Sequence, residues 1–325
     1  MALLLAARQI VLPKRRLPIT KLDPLFASLP VDFNLVVADV GSIGGLHRRW
    51  RPLKPHLITL NFDPLDSGRG SDRERYFTVL LGSSEGEGTL HITSRGSMSS
   101  MLKPNRDFFA AFRKKPADIE IVDSLSAKVT TLDRLAQDQQ LWPDALKIDV
   151  QGGEEAVLEG AREALGSSVI LAEIECSFAE RYEGQQTIDG VIRFMREQGF
   201  ALLDLRRLKR YRYDNSHGID DVSLGRGMRA GRLAFCDAIF MLEPARLWTR
   251  IAEAGDGAGT LGLKAIVLAL TYGKADLAAA IFDRAGEQLP AATRDALDQF
   301  FTSLAGDGEW TQQLHHDFDA WSQRV

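Results

Sequence analysis

The sequence predicts an α/β fold with a largely parallel sheet that ends at a ligand site. Three observations support this fold. Short apolar runs rich in valine, isoleucine and leucine are typical of strands buried on both faces. Acidic residues stand where several of these runs end. Glycine-rich turns follow two of the runs, and open parallel sheets bind their ligands at such carboxyl ends.

The first predicted strand covers residues 35–40 and carries Asp39 just before its end. Gly41, Gly44 and Gly45 follow, and glycines allow a tight turn and a close approach of the backbone to a ligand. The spacing is Gly-x-x-Gly-Gly rather than the Gly-x-Gly-x-x-Gly of dinucleotide sites. A nicotinamide-dependent dehydrogenase is therefore disfavoured.

The second predicted strand, residues 57–62, ends at Asp63, about 20 residues after the glycines. A carboxylate in this place accepts hydrogen bonds from both hydroxyls of an adenosine ribose. A third strand, residues 77–82, leads to Ser83, where a base is expected to lie. Asp39 favours S-adenosylmethionine (SAM) over a nicotinamide cofactor, because the amino group of SAM needs an anion nearby.

A later strand and turn repeat this arrangement and hold the strongest catalytic candidate. Residues 145–150 form an apolar run with Asp149 near its end, and Gly152 and Gly153 then lead into an amphipathic helix. This arrangement predicts that Asp149 lies beside the reacting methyl group, with a cap of the following helix as its alternative role. Glu154 is expected to be a surface acid that complements the helix dipole.

Residues 169–176 form the next predicted strand. Glu173 and Glu175 alternate along it, so both side chains point to one face, and buried carboxylates need a partner or a cleft. We expect them to bind an arginine or substrate hydroxyls. A hard-metal site formed with Asp149 is the less favoured alternative, so no metal is assigned.

The remaining predicted strands of the sheet are residues 200–205 and 234–241, preceded by a helix over residues 188–198. Between the two strands, the basic and aromatic residues 206–221 are predicted to form a loop that faces the acceptor. One solvated strand face of a β-hairpin is the alternative. His217 in this stretch is a further candidate base.

Both ends of the chain are predicted to be helical. We divide the sequence into an N-terminal helical segment, residues 1–30, a main domain, residues 31–245, and a helical domain, residues 246–325. The periodicity of the last part predicts helices over residues 261–272, 275–288, 292–304 and 309–322. Such a set is typical of a tetratricopeptide-like pair or of a dimerisation appendage, so a homodimer is one expectation.

Composition narrows the classes of function. The chain has 325 residues and a net charge of −4, which gives no electrostatic argument for a nucleic-acid partner. Two cysteines, Cys176 and Cys236, lie in apolar runs and are predicted to be buried free thiols in a cytoplasmic protein. The apolar N-terminus is too short to span a bilayer. We expect it to pack on its own domain, with contact to a membrane surface as the alternative.

Residues 146–154, with residues 157–161 after them, resemble the signature of FkbM-type SAM-dependent methyltransferases. Stretches similar to other marks of that family follow the expected order at residues 39–41, 97–105 and 131–135. The resemblance implies a Rossmann-like class I methyltransferase sheet, mixed and with an antiparallel last strand, plus a C-terminal helical appendage. It also implies O-methylation of a hydroxyl on a sugar, glycan, glycolipid or natural product.

The residues and the resemblance together assign the site. The catalytic candidates are Asp149, Glu175 and His217. The candidates for binding SAM are Asp39, Gly41, Ser42, Gly44, Gly45, Asp63, Ser83, Ser99 and Asp149. The chain departs from the family at Gln151, where a glutamate is usual, and at Ser42 and Ile43, where Ala-Asn is usual. These departures support one alternative, a SAM-binding scaffold without turnover in a glycan or lipid pathway.

Overall fold

The structure is a computed structural model that describes residues 22–43, 45–65, 68, 70–220 and 229–306. The predictions for the first 21 residues and for a helix over 309–322 lie outside the described residues. Within the described part, no helix is both long and apolar enough to cross a bilayer.

Ten strands are described. They are β1 Leu35–Val40, β2 Leu57–Phe62, β3 Glu74–Phe77, β4 Leu80–Leu81, β5 Gly86–Thr93, β6 Ile121–Thr130, β7 Ala145–Ile148, β8 Leu171–Ser177, β9 Phe200–Tyr211 and β10 Arg232–Leu242. Seven form one sheet in the order β3-β2-β1-β7-β8-β10-β9. β10 pairs antiparallel with β8 and β9, and the other pairs are parallel. The predicted mixed Rossmann-like sheet with an antiparallel last strand is confirmed.

The register of the large sheet places charged side chains in one row. Asp39 of β1 lies beside Asn61 of β2 and Lys147 of β7, and Lys147 lies beside Glu173 of β8. Paired residues on neighbouring strands point to the same face. One face of an otherwise apolar sheet therefore carries acids and a base near its carboxyl edge.

A second sheet of three strands, in the order β4-β6-β5, was not predicted. The prediction of one strand over residues 77–82 is wrong, because the chain leaves the large sheet after Phe77 and enters the small sheet at Leu80. The sequence predicts a hairpin turn at Gly86 and Gly88, but both glycines belong to β5. Residues of β4 and β5 then form a wall above the carboxyl edge of the large sheet.

Eleven α-helices are described. They are α1 Asp23–Ala27, α2 Arg106–Ala110, α3 Lys115–Asp118, α4 Leu132–Gln139, α5 Glu154–Glu159, α6 Arg162–Ser167, α7 Ile188–Glu197, α8 Pro244–Glu253, α9 Ala258–Thr271, α10 Ala275–Ala285 and α11 Ala291–Gly306. After β1 the chain forms a 3₁₀ segment, Arg48–His56, instead of a long α-helix. Pro52 and Pro55 inside this segment lack the N–H groups that an α-helix needs.

The C-terminal helices form a continuous core with the large sheet. α9 buries most of its length, including Ala265, Ile266 and Leu268, in the same apolar cluster as the strands. Helix α8 was not predicted. The prediction of a loop from residue 206 is wrong up to Tyr211, because β9 continues to that residue as one strand of a hairpin with β10.

Candidate active site

The carboxyl ends of β1, β2 and β7 border a cavity of about 260 Å³. Gly41, Asp63, Asp149 and Gln151 line its polar side. Its apolar side consists of Val79, Leu80, Leu81, Leu90, Met101 and Leu102, among others. A mostly apolar cleft with a few placed polar groups is typical of cofactor sites.

Gly41 forms the tight turn at the end of β1 that the sequence predicts. Its φ of +77° lies in the left-handed region. A Cβ atom at this position would lie 2.0 Å from the backbone oxygen of Asp149. The two strand ends are further tied by the hydrogen bond from Asp149 N to Val40 O, at 2.9 Å. Only glycine allows β1 and β7 to meet this closely beneath the cavity.

Asp39 is completely buried beneath this turn and has one partner. Lys147 Nζ donates to Asp39 Oδ1 at 2.7 Å. Asp39 Oδ2 is buried and receives no hydrogen bond from any described residue. Burial raises the pKa of Asp39, and the neighbouring Lys147 opposes that rise. A buried carboxylate oxygen without a donor is costly, so this atom marks a place where a ligand donor is expected.

Asp149 and Glu175 are held by the same amide. Gln151 Nε2 donates to Asp149 Oδ1 at 2.7 Å and to Glu175 Oε1 at 2.9 Å. The amide oxygen of Gln151 accepts from the Tyr182 hydroxyl at 3.2 Å. Gln151 itself adopts a left-handed φ of +58°. The amide therefore links a carboxylate that lines the cavity to one that lies behind it.

Arg181 supplies the positive charge behind the cavity. Its side chain is 1% exposed, and its Nη2 donates to Glu175 Oε1 at 2.6 Å. Further bonds run to Ser177 Oγ and to the Tyr211 hydroxyl, at 3.0 and 3.3 Å. Burial, followed by repulsion from Asp149, raises the pKa of Glu175 to about 8, although Arg181 opposes the rise. Glu175 thus serves the site through its neighbours, because it does not line the cavity.

Glu154 is not the surface acid that was predicted. It is buried, and its Oε1 accepts a hydrogen bond from Gly152 N at 2.9 Å. Burial raises its pKa. The carboxylate closes the turn between β7 and α5, where Gly152 adopts a φ of +116°. Its role is to hold the backbone that carries Asp149.

The other acid of β8, Glu173, binds an arginine as predicted. Arg49 Nη1 lies 2.8 Å from Glu173 Oε2, and the Tyr272 hydroxyl donates to the same oxygen at 2.7 Å. Arg49 Nε in turn donates to His47 Nδ1 at 3.2 Å. This cluster connects the C-terminal helices to the chain that follows the glycine turn.

The remaining candidates in the glycine turn are dispersed. Ser42 is buried and does not line the cavity. Gly44 lies outside the described residues. Gly45, with a φ of +67°, borders a second cavity of about 680 Å³ beside His47 and Trp50. Asp63 and Asp149 line the smaller cavity and neither lines the larger one, so we place the site in the smaller one, whereas Asp39 lies beneath the Gly41 turn and lines neither cavity.

Two of the more distant candidates do not reach the cavity. Ser83 is exposed after β4, and His217 is exposed in the turn after β9. Neither lines the cavity. Ser99 does, and its Oγ accepts from Thr93 N at 3.1 Å. Asp63 also lines the cavity and accepts from Leu65 N at 2.8 Å, which fixes the loop after β2.

Sequence reasoning missed several residues of the site. Lys147 carries a usable signal, because it stands two positions before Asp149 on a strand and must point to the same face. Arg181 and Tyr182 lie in an irregular segment after β8 with no periodic pattern. Their contacts with Glu175 and Gln151 arise from the tertiary fold.

The described part of the chain offers neither a cluster of metal ligands nor an exposed thiol. Among those residues, no group of three or more His, Cys, Asp or Glu side chains is placed to hold a metal ion. Cys176 and Cys236 are buried free thiols, as predicted, and burial raises the pKa of Cys236 to about 12.

Residues 48–202 match the family described as the methyltransferase FkbM domain. This chain carries an FkbM methyltransferase domain. The FkbM match includes Asp63, Asp149 and Glu175, whereas Asp39 and Gly41 precede it. No curated protein matches the sequence.

Solved structures of methyltransferases resemble the chain at low identity. Methyltransferase FkbM from Methylobacillus flagellatus KT is 13% identical with a TM-score of 0.35, and the alignment covers 65% of this chain and 44% of that protein. Magnesium protoporphyrin IX methyltransferase from Synechocystis PCC 6803, solved with bound SAM, is 9% identical with a TM-score of 0.31. That alignment covers 69% of this chain and 78% of that protein. Precorrin-6y C5,15-methyltransferase from Geobacter metallireducens GS-15 is 12% identical with a TM-score of 0.28, and the alignment covers 67% of this chain and 86% of that protein. The fold assignment therefore rests on the strand order of this chain itself.

Proposed function

We propose that this FkbM methyltransferase uses SAM to methylate a hydroxyl group of a sugar, glycan, glycolipid or natural product. The observation that carries the proposal is the position of Asp149. Its carboxylate lines the cavity directly beside the Gly41 turn, and one of its oxygens is already held by Gln151. An acid in this position is suited to orienting a hydroxyl and taking its proton.

Groups in and below the cavity match several parts of SAM. Asp39 does not line the cavity but lies beneath the Gly41 turn, and its buried Oδ2 without a donor would accept a hydrogen bond from the amino group. Gly41 lines the cavity and lets β1 and β7 meet beneath it, because a side chain there would collide with the Asp149 backbone. Asp63 would accept the ribose hydroxyls, and the apolar wall that includes Leu80 and Leu90 would cover the adenine.

SAM supplies a methyl group on a sulfonium that is already electrophilic, so its transfer depends mainly on alignment. The chain's own contribution is to bring the acceptor hydroxyl to Asp149 and to exclude water. As the carbon–oxygen bond forms and the methyl–sulfur bond breaks, leaving S-adenosylhomocysteine, the acceptor hydroxyl would lose its proton to Asp149. The amide of Gln151 keeps that carboxylate in place, because it holds Oδ1 at 2.7 Å.

The direct test is calorimetric titration of the purified protein with S-adenosylhomocysteine (SAH). We expect the wild type to bind SAH and Asp63→Ala to lose most of that affinity. Asp138→Ala is the matched control, because Asp138 is paired only across the exposed surface of α4, with Arg134 at 3.1 Å. Failure of the folded wild type to bind SAH would refute the proposed cofactor.

The acceptor is tested separately, with isotope-labelled SAM and a panel of hydroxyl-bearing sugars, glycolipids and natural products. We expect label in an ether-linked methyl group of one acceptor class and a strong decrease in Asp149→Asn. Binding of SAH without transfer to any member of the panel would instead favour the scaffold without turnover.

A further inference from the structure

Two carboxylates next to the cavity share a single nitrogen. Asp149 Oδ1 and Glu175 Oε1 both accept from Gln151 Nε2, at 2.7 and 2.9 Å. Once both are ionised, carboxylates this close repel each other, and proteins relieve such repulsion by sharing a proton, by binding a cation or by placing donors between them. Here both protons of one amide are used, one for each acid.

The surroundings fix the amide in this orientation. The oxygen of the Gln151 amide faces the Tyr182 hydroxyl at 3.2 Å and shares its proton with Met98 O, which lies at 3.0 Å. The reverse orientation would place this oxygen against the two acids, which offer no donor when ionised, so the nitrogen is directed at them. Tyr182 is fully buried and packs against Gly152. The left-handed backbone of Gln151 sets the direction of its side chain. The turn therefore fixes the Gln151 amide as a bridge between Asp149 and Glu175.

The positive charge comes from Arg181 rather than from the bridge itself. Its guanidinium binds Glu175 at 2.6 Å and is also held by Ser177 and Tyr211. The side chain is almost completely buried, so its charge is not screened by water. A bridging cation would link the two acids and supply positive charge. Here the Gln151 amide provides the link, and the Arg181 guanidinium provides the charge.

We infer that the Gln151 amide and the Arg181 guanidinium take the place of a divalent cation between Asp149 and Glu175. Gln151 is then a positioning residue that keeps Asp149 directed at the cavity, and the wild-type site works without a metal ion. This inference rests on the proposed function only in assigning Asp149 its role. The bridge itself can be tested on the protein without cofactor.

The test replaces the amide with a carboxylate of nearly the same shape. Gln151→Glu removes both donors and places a third acid beside Asp149 and Glu175, which makes a set of hard oxygen ligands. We expect the melting temperature of this variant to fall in EDTA and to rise by about 3 °C or more in millimolar Mg²⁺ or Ca²⁺. The wild type is expected to melt at the same temperature in both buffers.

Gln186→Glu is the matched control. Gln186 Nε2 also donates to a carboxylate, Glu155 Oε1 at 3.1 Å, but on the exposed surface. The chemical change is identical, and no cation response is expected. Gln151→Met provides a second variant, which removes the donors without adding a charge and is expected to show no response to either cation.

Three results would overturn the inference. One is a wild type whose melting temperature, or affinity for SAH, falls in EDTA and recovers with Mg²⁺ or Ca²⁺. Another is a folded Gln151→Glu protein that melts identically in EDTA and in the cations. The third is a cation response in Gln151→Met equal to that of Gln151→Glu. Because melting is measured without SAH, failure of every protein to bind SAH would count against the proposed function alone.

Discussion

Two buried pairs of aspartate and lysine lie at opposite edges of the large sheet and differ in one respect. At the amino edge, Lys264 Nζ donates to both oxygens of Asp144, at 2.8 and 2.9 Å, and Val36 N donates to Oδ2 at 2.8 Å. At the carboxyl edge, Lys147 reaches only Oδ1 of Asp39, at 2.7 Å. The lysine side chains are 21% and 20% exposed, and the aspartates 8% and 0%.

The difference teaches that burial and pairing alone do not identify a site. Burial raises the pKa of Asp144 and Asp39 alike. In the amino-edge pair both carboxylate oxygens of Asp144 have donors, so the pair is saturated and serves only to join α9 to the sheet. The carboxyl-edge pair retains an acceptor without a donor among the described residues, and it lies beneath a turn with left-handed backbone. Unused hydrogen-bonding capacity, rather than charge, distinguishes the functional edge.

The largest effect at the carboxyl edge is expected from Gly41→Ala, which disrupts the contact between the ends of β1 and β7. The new Cβ would meet the Asp149 backbone oxygen at 2.0 Å in a left-handed conformation. We expect a loss of about 4 kcal/mol in the free energy of unfolding, together with loss of SAH binding. Gly166→Ala in α6 is the control, because a Cβ there meets nothing within 4 Å. Equal urea midpoints for wild type and Gly41→Ala would contradict the steric argument.

The amino-edge pair is broken by Lys264→Met, which leaves Asp144 buried without its cation. We expect the free energy of unfolding to fall by about 3 kcal/mol. SAH affinity of the folded variant should stay unchanged, because Asp144 lies at the amino edge of the sheet, opposite the strand ends that border the cavity. Urea denaturation and calorimetry measure the two effects separately. A decrease in affinity without a decrease in stability would reverse the roles that we assign to the two edges.

Asp39→Asn sharpens the comparison at the carboxyl edge. Loss of one charge-assisted hydrogen bond to the ligand should weaken SAH binding by about 10-fold to 100-fold. Stability should also fall, because the half-buried Lys147 loses its ionic partner. Asp144→Asn, at the saturated pair, is expected to reduce stability as well but to leave SAH affinity unchanged. Similar SAH affinities of the two variants would argue against a ligand at Asp39.

The smallest expected effect is a dependence of stability on pH. Burial and Asp149 raise the pKa of Glu175 from 4.5 to about 8 in the folded protein. The folded state therefore holds more protons than the unfolded state between these values, and stability falls as the pH rises through that window. Glu175→Gln should flatten this decline relative to the wild type in denaturation series from about pH 5 to pH 8. Parallel curves would show that Glu175 is ionised at neutral pH.

The strands of the large sheet that are buried on both faces could be predicted closely. The first two match β1 and β2 residue for residue, because continuous apolar runs bounded by turns have few alternatives. β6 was missed, since its sequence is polar and most of its side chains before Val129 are exposed or half-buried. The sequence predicts a loop at the end of β9 for the same reason, because an edge strand can carry arginines and lysines toward solvent.

Only the site residues that lie at the ends of strands could be predicted from the sequence. Asp63, Asp149 and Gly41 were found because parallel strands bring their carboxyl ends together. The partners that set their chemistry are distant in sequence or lie in irregular segments. Arg181 reaches Glu175 from a loop, and Lys147 reaches Asp39 across 108 positions of the chain. Local patterns carry no information about such contacts.

The bonds from the C-terminal helices have a consequence for the order in which the protein is made. Glu173 and Asp144 receive donors from Tyr272 and Lys264, which follow them by 99 and 120 positions. A chain that extends only to the end of β10, at Leu242, therefore contains a sheet whose interior acids still lack those partners. Closing the core around them is unfavourable until α9 has emerged. The last helices are thus needed to complete the core of the protein, and we expect a nascent chain that stops short of them to remain a substrate for chaperones and proteases.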